Sequence, residues 1–336
     1  MVRVPGGHDS AAVSGYIARR PPPHTPNKER SVKQLAAPSL LALCLALGCA
    51  RKETPVPEAT AQAPVRVTVI PGFSTPESVI WSAKEDVWFV SNINGTPTAK
   101  DGNGFISRLS RDGVIDSLRF IAGGRDSVTL NGPKGMALVG DTLWVADIDA
   151  VRAFNAHTGK PVASVELGKQ ATFLNDVAVG PDGTIYITDS GMGFDDKGQM
   201  THPGPDRIFA ISGRTSTIAA EGDWMERPNG ITWDGANGRF ILVPFGGPHL
   251  LGWTRGVAKV DTIGTGPGGQ DGVEFVDGEL LVTSWADSSV FSVSSAGMKK
   301  VVTGVASPAD IGVDQLRGLV AIPLLTQNRV EVWRVK

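Results

Sequence analysis

The sequence predicts an all-β fold, a six-bladed β-propeller of four-stranded blades closed by an N-terminal strand that completes the last blade. Three observations predict it: a short motif that recurs six times, alternating apolar strands inside each repeat, and an unassigned strand ahead of the first repeat. The motifs are PESVIW from Pro76, PKGMAL from Pro133, LNDVAV from Leu174, PNGITW from Pro228, QDGVEF from Gln270 and PADIGV from Pro308. They stand 38 to 57 residues apart, near the length of one four-stranded blade.

Inside the third repeat the strands read VAVG at 177–180, TIYITDS at 184–190, RIFAIS at 207–212 and TSTIAA at 215–220. Their period of two and their β-branched and aromatic content are strand signatures, and Pro181-Asp182-Gly183 supplies a turn. The sixth repeat has only three strands before the chain stops at Lys336, while VRVTVI at 65–70 is unassigned. Pairing the two closes the ring and removes two exposed edges.

Four segments are expected. Residues 1–31 are rich in Pro, Arg, His and Gly without periodicity, and read as a disordered extension or as sequence upstream of a start at Val32. Residues 32–49 read as a secretion signal, because the apolar run LAAPSLLALCLALG follows Arg30 and Lys33 and is too short to span a bilayer. ALGC at 46–49 resembles a bacterial lipobox, which implies lipidation at Cys49 and a lipoprotein of the cell envelope facing the periplasm. An ordinary cleaved signal is the alternative. Residues 50–64 read as a flexible linker, and 65–336 as the propeller.

The 336 residues carry a net charge of −2, so no nucleic-acid partner is expected, and the only membrane attachment expected is the lipid at Cys49. The two cysteines, Cys44 and Cys49, both lie in the apolar segment, which leaves no disulfide or cysteine zinc site to the folded part. Oligomeric state is not legible.

In a four-stranded blade, the loops after the second strand and between blades share one face. Here that set includes two long segments, 91–103 and 188–206, and long loops on a rigid scaffold carry function. On the same face the in-phase positions around the hub are Glu77, Lys134, Asn175, Asn229, Asp271 and Ala309, followed by Ser78, Gly135, Asp176, Gly230, Gly272 and Asp310. Two carboxylates and two amides thus converge with a single cation, Lys134. Carboxylates sharing a channel repel and raise each other's pKa, and a divalent metal resolves the conflict. Donors that are all oxygen favour Ca2+, with magnesium or manganese as alternatives, over zinc. Asn229-Gly230 and Asp271-Gly272 also read as turn dipeptides, the plain structural alternative.

The segments PESVIW, LNDVAVGPDG, PNGITWD and QDGVEFVDGELLV resemble the regucalcin/gluconolactonase family of calcium-dependent lactone hydrolases, over about residues 70–335. The resemblance implies metal ligation by Glu77, Asn175, Asn229 and Asp271, and a proton-transfer role for Asp271. Two departures stand out. Phe173 occupies the place of an Arg that sugar lactonases carry two residues before the Asn-Asp pair, and Ser78 replaces an acidic neighbour that related propellers use for a second ion.

A cation on the axis can polarise a lactone or ester carbonyl, with Asp271 as the catalytic base. Lys134, Asp310 and Trp285 are the candidate substrate-binding residues, with Asp310 also a reserve base. His202 and His249 lie in loops of the same face, His157 in a turn of the opposite face, and His8 and His24 in the N-terminal extension. No G-x-S-x-G nucleophile is present. The expectation is a calcium-dependent hydrolase of a lactone or related ester in a central propeller pocket, acting on a small-molecule substrate. The alternatives are a non-catalytic, envelope-anchored propeller that binds a ligand or protein, and a metal-dependent lyase.

Overall fold

The computed structural model describes residues 63–257 and 260–335. The expected extension, the signal with Cys49, linker residues 50–62, His8 and His24 lie outside the described residues.

Six four-stranded antiparallel sheets form the six blades. Their inner strands are Pro76–Ser82, Pro133–Val139, Leu174–Val179, Pro228–Asp234, Gln270–Val276 and Gly312–Asp314. The last blade runs from Gly312–Asp314 through Leu319–Leu324 and Arg329–Arg334 to Val65–Pro71, so the N-terminal strand is its outer strand. At the hub the first and sixth blades are stitched by Val79 N–H donating to Asp310 O at 3.2 Å and Asp310 N–H donating to Glu77 O at 2.9 Å.

The alternating apolar residues fill seams between blades. Each of the six apolar clusters joins two neighbouring blades, as where Tyr186 of the third meets Phe240 and Trp253 of the fourth. The sixth seam, with Val79 and Trp88 against Leu319 and Val330, joins the last blade to the first. A propeller whose blades each bury both faces in this way has no single centre of packing.

One irregularity positions the site. In the first blade Pro76 pairs with Asn92 but Val79 pairs with Val90, so residues 77 and 78 together oppose Ser91. The same one-residue bulge recurs at 134–135, 175–176, 229–230 and 271–272. In the sixth blade Pro308 bridges Leu324 while Gly312 pairs with Ala321, the same offset. A bulge re-aims side chains that regular pleating would send sideways, and here it sits on the in-phase positions read from the sequence. Hydroxyls hold it: Ser78, Asp176 and Gly272 N–H groups donate to Ser91 Oγ (2.8 Å), Thr188 Oγ1 (2.9 Å) and Thr283 Oγ1 (2.7 Å). Thr188 and Thr283 pass their own protons to the next blade, at Asn229 O and Ala309 O.

The plain turn reading of Asn229-Gly230 and Asp271-Gly272 does not hold. Neither glycine has a positive φ, and both lie within inner strands. Glycine is there because the next blade comes close: a Cβ on Gly230 would collide with Asp271 O, and one on Gly272 would stand 2.7 Å from Asp310 Cα.

Candidate metal centre and active site

At one end of the hub the bulges deliver Glu77, Lys134, Asn175, Asn229 and Asp271 to the floor of one cavity of about 250 Å3. All five side chains are buried, Lys134 most deeply at 1% exposure. They come from five different blades, so no local sequence segment contains the site.

Hydrogen bonds set how the floor faces the cavity. Ser190 Oγ spends its proton on Pro228 O at 2.6 Å, so it can only accept from Asn175 Nδ2, at 3.1 Å. The Asn175 amide oxygen is thereby turned away from Ser190. Lys134 Nζ donates to Gly132 O at 3.1 Å and Pro97 O at 3.3 Å, and lies 4.3 Å from the centre of the Phe173 ring. Two buried carboxylate oxygens, Glu77 Oε2 and Asp271 Oδ1, have no hydrogen-bond partner. Orphaned acceptors of this kind are costly and call for a proton or a cation.

Burial is the main cause that pushes the Glu77 pKa well above the carboxylate range, with Asp271 next; Lys134 opposes it. Asp271 is raised by burial and then by Asp310, against the nearby Trp285 indole and Asn229 amide. Trp285 Nε1 faces this carboxylate without completing a hydrogen bond. Burial lowers Lys134, against the pull of Glu77.

Among the described residues no three His, Cys, Asp or Glu side chains gather as a metal-ligand group. A ligand set of four is reached here only by counting the two amides. Those donors fit a hard, oxygen-seeking divalent cation, since the two acids with orphaned oxygens and both amides line one cavity.

Trp285 lines this cavity, as Lys134 does. Asp310, expected to reach substrate, does not. It occupies the second position of its bulge, and with Asp176 and Glu274 it lines a separate hollow of about 120 Å3. Ser78 Oγ donates to its Oδ2 at 2.6 Å, while burial still pushes its pKa up to about 7. Glu274, half-buried as a residue, is pushed up to about 8 by burial of its carboxyl and by Asp310.

Neither histidine of this face lines the cavity. His202 Nε2 pairs with Asp206 at 2.8 Å, and His249 Nδ1 with Glu226 at 2.6 Å. The side chains that sequence reasoning did not single out form the wall. Ile93 and Pro97 come from one long loop, Met192, Phe194 and Met200 from the other, Phe245 from just beyond a strand, and Leu325 and Thr326 from a short 3-10 helix. The excess length of those two loops was the available signal; nothing in the repeat marked individual residues.

Solved structures with a similar fold include three that align over most of the chain. One described as a "putative gluconolactonase" is 16% identical, with a TM-score of 0.56 over 82% of this chain and 93% of its own. The nidogen/laminin complex gives 19% identity and a TM-score of 0.51, over 67% and 78%. A virginiamycin B lyase from Staphylococcus aureus gives 15% and 0.51, over 80% and 99%. No family model and no curated protein matches the sequence. At these identities the likeness is one of fold: the chain is a six-bladed β-propeller.

Proposed function

We propose that this propeller is a divalent-cation-dependent hydrolase of a lactone or related ester, with Glu77, Asn175, Asn229 and Asp271 holding the ion and calcium the best fit to their donors. The observation that carries this reading is the pair of orphaned oxygens, Glu77 Oε2 and Asp271 Oδ1, in one buried cavity. Fold alone does not choose, since propellers serve many functions.

When bound, such an ion supplies Lewis-acid polarisation of a carbonyl and a counter-charge for the two acids. The chain's own residues do the rest. Asp271 takes a proton from water as the water oxygen bonds to the carbonyl carbon, then returns it to the alkoxide as the ester C–O bond breaks. The Asn229 amide and Trp285 indole favour its ionised form. Lys134, anchored by two carbonyls, offers its remaining proton to negative charge that develops near the floor. The apolar wall keeps bulk water from the reacting carbonyl.

Calorimetric titration of chelator-stripped protein with calcium tests the ion, and turnover of a lactone panel tests the chemistry. Calcium binding with metal-dependent turnover, abolished in Asp271→Ala at unchanged circular dichroism, is the expected result. A stripped protein that takes up no divalent ion overturns the reading. The N-terminal segment supports export and lipid attachment at Cys49, and a mature-chain mass without a diacylglyceryl group would remove the lipid.

A further inference from the structure

The cavity is chemically one-sided. Its floor carries the charged and amide groups, whereas its wall presents two aromatic pairs. Phe173 and Phe194 have ring centres 6.4 Å apart, and Phe245 meets Trp285 edge-on at 5.5 Å. The wall offers almost nothing to a hydroxyl. Thr326 Oγ1 donates its proton to Ser307 Oγ at 3.2 Å and can only accept, so among the described side chains of the wall the indole Trp285 Nε1, which faces Asp271, is the remaining donor. A ring bearing several hydroxyls would bury those turned to the wall against carbon without a partner, which is penalised far more than removing both members of a pair. A hydrocarbon substituent would instead exchange water for aromatic and thioether contact.

Part of this wall is a small added element. Gly193–Phe194 and Met200–Thr201 form a two-stranded hairpin inside the long loop of the third blade, outside the blade sheets. Phe194 and Met200 are directly paired across it, and both line the cavity. The hairpin therefore sets one cross-strand pair of side chains at the edge of the available space without altering any blade.

We propose that this pocket selects esters or lactones whose substituent is a hydrocarbon chain or ring over polyhydroxylated ones, and that the Phe194–Met200 pair sets how large that substituent can be. The proposal rests on the ester-hydrolase reading for the chemistry, and on the wall alone for the ligand class.

Unreactive lactams separate the two. With calcium in excess, the full chain is titrated calorimetrically with the lactam analogues of δ-nonalactone and of glucono-δ-lactone, and turnover of the two lactones is measured in parallel. The expected result is at least tenfold tighter binding of the alkyl lactam. That preference should fall at least fivefold in Phe194→Ala and in Met200→Ala, each melting as the parent does. Equal or tighter binding of the hydroxylated lactam overturns the proposal, as does a preference that neither substitution changes. Alkyl preference with no turnover of either lactone upholds the ligand class while the hydrolase reading falls.

Discussion

Ser190 decides which way the Asn175 amide points. Its hydroxyl donates to Pro228 O at 2.6 Å and accepts from Asn175 Nδ2 at 3.1 Å, so one serine ties the third blade to the fourth and aims an oxygen toward the hub. Ser190→Ala frees the amide to rotate and leaves a buried carbonyl without its donor. Outer-shell partners of ligands typically control metal affinity by about 10–100-fold. The expected outcome is a calcium affinity weakened within that range, and a loss of about 1–3 kcal/mol of stability. Calorimetry and chemical denaturation measure the two separately. Unchanged calcium affinity would remove Asn175 from the ligand set.

The buried acids make the metal-free protein pH-sensitive in a defined direction. Asp310 rises from 3.8 to about 7 and Glu274 from 4.5 to about 8, so between these limits the folded chain holds protons that the unfolded chain has released. Their contribution is fully present below about pH 4 and is lost as the pH climbs through the folded values. Stripped protein should therefore melt at lower temperature at pH 8 than at pH 5. Asp310→Asn keeps an acceptor for Ser78 but cannot ionise. It should flatten the part of the decline that ends near pH 7, a gain at pH 8 of at most about 4 kcal/mol. Parallel pH profiles for the two proteins would show that Asp310 bears no such cost.

The glycines of the bulges are set by the neighbouring blade rather than by turn geometry. A Cβ at 272 would stand 2.7 Å from Asp310 Cα, and one at 230 would strike Asp271 O. Both clashes involve backbone, which cannot swing aside as a side chain can. Gly272→Ala and Gly230→Ala should each lose about 1–3 kcal/mol or more, because overpacking at a rigid seam is relieved only by moving the blades apart. Denaturant melts measure this. A Gly235→Ala control, whose nearest neighbour would be the Trp233 indole at 3.5 Å, should fall near the parent.

Much of this was legible because the fold repeats. Glu77, Asn175, Asn229 and Asp271 share a phase in the sequence, and the phase corresponds to a bulge that turns all four toward one axis. The closing strand was legible from a last repeat one strand short and an unassigned strand, VRVTVI at 65–70, ahead of the first. Asp310 was not, because the two residues of a bulge face different compartments and the sequence does not say which is which. Ala309 takes the position equivalent to Glu77, and Asp310 that of Ser78. The wall was illegible for a different reason. Phe194 and Met200 meet through a hairpin that belongs to one blade only, so periodicity carries no information about it.

Closure of the ring depends on Val65–Pro71, and one buried acid clamps it. Glu331, 1% exposed, pairs with Arg329 at 2.6 Å and with Arg66 of the closing strand at 3.5 Å, and accepts from Trp333 Nε1 at 3.1 Å. The Arg66 guanidinium also lies 5.8 Å from the centre of the Trp333 ring. Removing residues 63–71 would expose the whole hydrogen-bonding edge of Arg329–Arg334 and strip Ile70 from the seam between the last and first blades. An unprotected edge of that length recruits strands from other copies. The shortened chain should therefore elute as oligomers in size-exclusion chromatography and lose its cooperative thermal transition. The milder Arg66→Ala removes only the weaker, half-exposed ion pair and the ring contact, for a loss of about 1 kcal/mol or less. A monomeric shortened chain that melts like the parent would mean the ring closes through the hub contacts of Val79 and Asp310 and the remaining packing of Val79 and Trp88 on Leu319 and Val330.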